Sequence, residues 1–149
     1  MIWKRRPCIP EEVWQACKFF TQAVLSLEPF IKKVILFGSY SKGQQRPDSD
    51  IDIAIFVDAP RYFYRTRILH PRLNREHEIF GVQLEESDAV GKLRTDIQNT
   101  SFPLKEMFSV HIITPSNSGP FVDEVEKGIV LYRSLIYSIF CFLTSCRYV

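Results

Sequence analysis

The sequence predicts an α/β (α+β) domain, and three observations carry that reading. An amphipathic helical pattern over residues 10–28 is followed at once by a run of branched apolar residues, Ile31–Phe37. A second such run, Ile51–Val57, alternates strictly between its two faces. A third, Phe108–Thr114, precedes a short helical pattern and a final apolar run, so helices and strands interleave along the chain. The 149 residues match one average domain, and a chain of this length buries roughly two-thirds of the surface that its unfolded form exposes. Hydrophobic residues at 46% and charged residues at 24% exclude a disordered or low-complexity chain. A net charge of +2 gives no strong nucleic-acid signal.

Each element has a local reason. Pro10-Glu11-Glu12 suits a helix start, because proline tolerates the first position and acidic groups suit the positive end of the dipole. Val13, Cys17, Phe20, Val24 and Leu27 then form one apolar face, and Glu28-Pro29 ends the helix. Ile31–Phe37 reads as a strand stopped by Gly38. In the strand Ile51–Val57, the residues Ile51, Ile53, Ile55 and Val57 share one face, and Asp52, Ala54 and Phe56 the other. Asp50 is in register with Asp52, so the two carboxylates point the same way. Residues 61–75 carry five arginines, and their first part reads as a helix interrupted near His70-Pro71. Ile79–Leu84 fits a strand and Ala89–Ile97 a short helix. Phe108–Thr114 is a strand ended by Pro115, Phe121–Lys127 a short helix closed by Gly128, and Ile129–Tyr132 a last strand.

The four cysteines, Cys8, Cys17, Cys141 and Cys146, lie near the two ends and form no CxxC pair, which disfavours a zinc site. No signal peptide is visible, so reduced thiols and a cytoplasmic location are expected.

Chemistry concentrates in Gly38–Asp52. A strand ends in Gly-Ser, where the free backbone N–H groups of a following helix favour an anion, and glycine lets a phosphate approach closely. Ten residues later Asp50 and Asp52 offer two hard oxygen ligands, suited to Mg²⁺ with a polyphosphate completing the shell. An anion cradle beside a metal pair equips a protein for phosphoryl or nucleotidyl transfer. The spacing is not that of a Walker loop.

The run resembles the signature of the DNA polymerase beta-like nucleotidyltransferase superfamily, and most closely that of the minimal nucleotidyltransferases. Their pattern GSxxxGxxxxxSDID is matched by Gly38, Ser39, Gly43, Ser49, Asp50, Ile51 and Asp52. The preceding strand fits as well, as do Thr114-Pro115 and the segment Pro120–Tyr132, so the resemblance covers residues 10–133.

This resemblance implies a mixed β-sheet flanked by helices, the polymerase beta palm-like fold. It implies nucleotide binding by Gly38, Ser39 and Ser49, and metal binding with catalysis by Asp50 and Asp52. One or two Mg²⁺ ions would bridge the phosphates of an NTP, ATP first, roughly 3.5–4 Å apart if both bind. An acceptor hydroxyl would then take the nucleoside monophosphate and release pyrophosphate. Minimal members often act beside a helical HEPN-type partner in toxin–antitoxin pairs, transferring AMP to the toxin. That makes such a partner the expected acceptor and an antitoxin role the expected setting.

Active members carry a third carboxylate on a later strand. Aligning Thr114-Pro115 with the end of that strand puts Ser109 at the acid's place, and a two-residue shift offers His111. Neither is a carboxylate. Glu78, Glu85, Glu86, Asp88 and Glu106 are the substitutes if the alignment fails. The alternative function is therefore a catalytically weakened member that binds a nucleotide or a partner. Lys42 and Arg46 flank the loop and could reach phosphate.

The expected domain, 1–133, leaves a C-terminal tail, 134–149, with eleven hydrophobic residues and one charge. Its uncharged stretch of thirteen residues falls short of the roughly 20 that span a bilayer. The tail is expected to pack on the domain, add a strand or make an oligomer or partner contact.

Overall fold

In the computed structural model a four-stranded mixed sheet separates two layers of helices. The structure describes residues 8–27, 31–57, 63–70, 75–83 and 86–134, with side chains placed outside 63–70, 75–83 and 86–89. The expected tail from residue 135 onward, with Cys141 and Cys146, lies outside the described residues. So do Arg61, Arg72, Glu85 and the side chains of Glu78, Glu86 and Asp88.

The elements run α1 (Glu11–Leu27), β1 (Ile31–Phe37), α2 (Ser39–Lys42), β2 (Ile51–Val57), β3 (Phe63–His70), β4 (Arg75–Gln83), α3 (Glu86–Gln98), β5 (Phe108–Ile113), α4 (Pro120–Glu126) and β6 (Ile129–Arg133). The sheet order is β5-β2-β1-β6. β1 pairs antiparallel with both β2 and β6, whereas β2 and β5 run parallel, so the sheet is mixed. The parallel pair needs a crossover, which the chain makes through β3, β4 and α3.

The period-2 pattern of β2 decides which layer each side chain enters. Ile51, Ile53 and Ile55 join α1, with Phe20 and Val24, and α3, with Leu93 and Ile97, in the larger core. Ala54 and Phe56 face the other way and pack with Ile35, Ile113 and Val125 of α4. Phe20 locks α1 onto the sheet through Phe102 and Phe108, with ring centroids 5.0–5.1 Å apart across the three pairs. Such aromatic pairs add about 0.5–1.5 kcal/mol each beyond the area they bury. Burial pushes the Cys17 thiol up to about 12, so it is a small apolar core residue and a poor nucleophile.

One expectation is overturned. The arginine-bearing segment holds a strand, β3, where a helix was expected; β3 pairs antiparallel with β4 in a separate two-stranded sheet. Phe63, Tyr64, Thr66 and Ile68 are aromatic or β-branched, and such side chains fit a pleated ladder better than a helix. β4 is also longer than the expected Ile79–Leu84. Past β6, Ser134 N–H donates to Lys32 O at 2.8 Å, so the chain stays beside β1 up to that residue.

Candidate active site

The site forms where β1 hands over to α2, opposite the start of β2. β1 ends because Gly38 takes φ 73°, ψ −151°, a backbone conformation that only glycine adopts at little cost. A second constraint acts there. Phe37 pairs with Asp52 across the sheet, and a β-carbon on Gly38 would overlap the Asp52 Oδ2 atom. The glycine therefore turns the chain and makes room for a carboxylate. α2 is one short turn, closed by Gly43 at φ 68°. Ser41 Oγ donates to Gly38 O at 2.7 Å and Gln44 N–H to Ser39 O at 3.0 Å, which fixes the loop backbone.

The loop that returns to β2 is pinned at both ends. Gln45 Nε2 donates to Cys8 O at 2.5 Å. Arg46 N–H donates to Ser49 Oγ at 2.7 Å while Ser49 N–H donates to Arg46 O at 3.0 Å. The Ser49 hydroxyl thus closes a turn immediately ahead of Asp50, and its own proton remains available to a ligand. Lys42 is engaged: its Nζ lies 3.1 Å from Glu124 Oε1 on α4. The Lys42 contact first, and Lys127 after it, hold the Glu124 carboxyl below its ordinary value. Ser39 is half-buried at the first position of α2, and Arg46 is exposed.

Asp50 is exposed and Asp52 half-buried. Partial burial raises the Asp52 pKa above the ordinary carboxylate value, His111 pulls it back, and the neighbouring negative charge of Asp50 raises it. A carboxylate raised by burial and by a neighbouring negative charge favours a cation beside it. The parallel register sets β5 beside this pair: Asp52 pairs with Ser109, and Ala54 with His111. Both residues lie on the Asp52 face of β5, and Ser109 Oγ is 3.3 Å from His111 Nε2. Among the described residues, no three His, Cys, Asp or Glu side chains converge to hold a metal ion. Glu106 is exposed on the 3₁₀ turn before β5.

Two aromatic side chains that sequence reasoning passed over complete the wall. Phe37 meets the His111 ring edge-on, centroids 5.4 Å apart. Phe121 of α4 meets Phe37 at 5.9 Å and His111 at 5.5 Å. No spacing in the sequence announces this cluster, because its three members come from β1, β5 and α4. Among the described residues, no helix is long and apolar enough to cross a membrane.

The model of the nucleotidyltransferase domain family matches residues 17–116, which contain Gly38–Asp52 and the Ser109–His111 pair. A candidate nucleotidyltransferase of solved structure from Sulfolobus solfataricus is similar in fold, with a TM-score of 0.50 and 15% sequence identity. The match covers 89% of this chain and 93% of that one. No curated protein matches the sequence.

Proposed function

The chain belongs to the nucleotidyltransferase domain family, and from that premise we propose that it transfers AMP from ATP to an acceptor hydroxyl. The observation that supports this most directly is the seat of Asp52 against Gly38, which brings a carboxylate and a phosphate-binding turn together. Gly38 and Ser39 hold the triphosphate close to the backbone, and Ser49 can donate its hydroxyl proton to a phosphate oxygen. Asp50 and Asp52 are hard oxygen donors with mutual repulsion to relieve, a donor set that fits a Mg²⁺ ion. That ion, when bound, would screen the phosphate charge and polarise the α-phosphate.

The acceptor fits the setting of the minimal nucleotidyltransferases: a hydroxyl on a HEPN-type toxin partner, with this chain as cytoplasmic antitoxin and the hydrophobic tail as a contact for the partner or a second copy. A second reading has a specific observation in its favour. Ser109 stands in register beside Asp52 where active relatives place a third acid, and serine is a poor ligand for Mg²⁺. On that reading the chain binds nucleotide and masks a partner without transferring AMP.

Calorimetry with Mg²⁺-ATP, followed by mass spectrometry of a co-expressed partner, tests both. ATP binding lost in the Asp50→Ala, Asp52→Ala double variant, together with one AMP added to the partner, is the expected result. Binding that survives the double variant rejects the metal-dependent reading. Metal-dependent binding without any added AMP leaves the binding module as the function.

A further inference from the structure

We propose that Phe121 is the stacking platform for the nucleobase of the bound NTP. The inference rests on the nucleotide-binding reading above and adds to it the place of the base. Phe121 is 51% exposed, an unusual state for a phenylalanine that contacts two other rings. Its position is fixed from two directions. Phe37 and His111 hold its inner side, and Phe37 pairs directly with Asp52. On its own helix it stands three residues before Glu124, so the two share a side of α4. Glu124 pairs with Lys42 of α2, which means that side of α4 faces the phosphate-binding turn. The exposed ring is therefore bracketed by the turn that would hold the triphosphate and the carboxylate that would hold its metal.

A nucleoside triphosphate whose phosphates lie on Gly38 and Ser39 carries one large flat apolar group, the base. Every base has a π-face, so an aromatic ring packed on two neighbouring rings and half exposed suits it without selecting strongly among bases. The cluster is preorganised: Pro120 opens α4 and Gly119, at φ 117°, sets its entry, so little side-chain order remains to be created on binding.

The test separates the base from the phosphates. Affinities for Mg²⁺-ATP and for Mg²⁺-tripolyphosphate are measured by calorimetry on the native protein, Phe121→Ala and Phe121→Trp. The expected result is an ATP affinity about five- to 150-fold weaker in Phe121→Ala, with tripolyphosphate affinity unchanged and with ATP affinity restored in Phe121→Trp. The new indole should also lose fluorescence on adding ATP and keep it on adding tripolyphosphate, a response that a merely structural role for the ring would not give. Equal ATP affinity in the native protein and Phe121→Ala overturns the platform, as does native ATP binding no tighter than tripolyphosphate. A native protein that binds neither ligand overturns the nucleotide reading itself, and the platform with it.

Discussion

Replacing Gly38 by alanine tests the link between the turn and the carboxylate. The alanine would have to hold φ 73°, ψ −151°, which costs a residue with a β-carbon about 1–3 kcal/mol. It would also drive that carbon into Asp52 Oδ2, and into Cγ at 3.1 Å and Cβ at 3.3 Å. Forcing extra volume into a filled site costs about another 1–3 kcal/mol. The two add to about 2–6 kcal/mol, or a melting temperature roughly 4–24 °C lower in a domain of this size. Asp52→Ala removes Oδ2 and Cγ and leaves only the Cβ contact. In that background Gly38→Ala should cost only the backbone part, about 1–3 kcal/mol. A double-mutant cycle by urea denaturation in chelator then yields a coupling of about 1–3 kcal/mol, the pair being less harmful than the sum. Additive effects, with Gly38→Ala equally costly in both backgrounds, would refute the claim that the glycine exists to admit Asp52.

Three other outcomes are expected. Ser109→Asp should set a third carboxylate in register beside Asp52 and tighten Mn²⁺ binding at least about tenfold by calorimetry, because a divalent ion is attracted to the added charge more strongly than the carboxylates repel one another; unchanged affinity would mean position 109 does not face the ion. The raised Asp52 pKa gives a signed pH dependence. Its ionised form costs stability in full above the folded pKa, and the cost disappears as pH falls through that value toward the ordinary 3.8. Metal-free native protein should therefore gain on Asp52→Asn between pH 7 and pH about 4 in urea midpoints, whereas a pH-independent difference contradicts the shift. Gly128→Ala would place a β-carbon against Leu36 O and 2.7 Å from Ile35 Cγ2, where β6 begins beside β1. We expect about 2–4 kcal/mol of destabilisation by thermal melting, and a neutral substitution would show that β1 can yield there.

The parts of the fold that could be read from the sequence are those whose determinants are local. Ile31–Phe37 and Ile51–Val57 were legible to the residue because a run of branched apolar side chains ends at a glycine in one case and begins after an aspartate turn in the other. α1 was legible from its apolar stripe and Pro29. The segment from 61 to 83 was not, because its arginines hide the β-branched and aromatic residues of β3 from a search for helical faces, and its ladder partner, β4, lies further along the chain. Sheet order and the β2–β5 register depend on the crossover through β3, β4 and α3, so the Ser109–Asp52 pairing could be anticipated only from the family resemblance and not from spacing. Phe121 escaped for the same reason: its neighbours lie 84 and 10 residues earlier, on other elements.

The pairing of Ser109 with Asp52 divides the proposed reaction into two tasks with different equipment. Holding a metal–nucleotide complex calls for two hard oxygen donors and a backbone open to phosphate, and Asp50, Asp52 and Gly38–Ser39 offer these. With two carboxylates from the described residues, other oxygen positions of the ion would fall to phosphate and water, so metal and ATP should bind as mutually dependent ligands, each weak alone. Activating the acceptor hydroxyl is a separate demand, which a third carboxylate meets in active relatives. On that face His111 stands two residues beyond Ser109, its Nε2 3.3 Å from the Ser109 hydroxyl, with Phe37 and Phe121 against its ring. An imidazole can act as a general base but contributes no negative charge to an ion. On the proposed function, nucleotide binding draws on groups already in place, whereas transfer also needs a base for the acceptor hydroxyl.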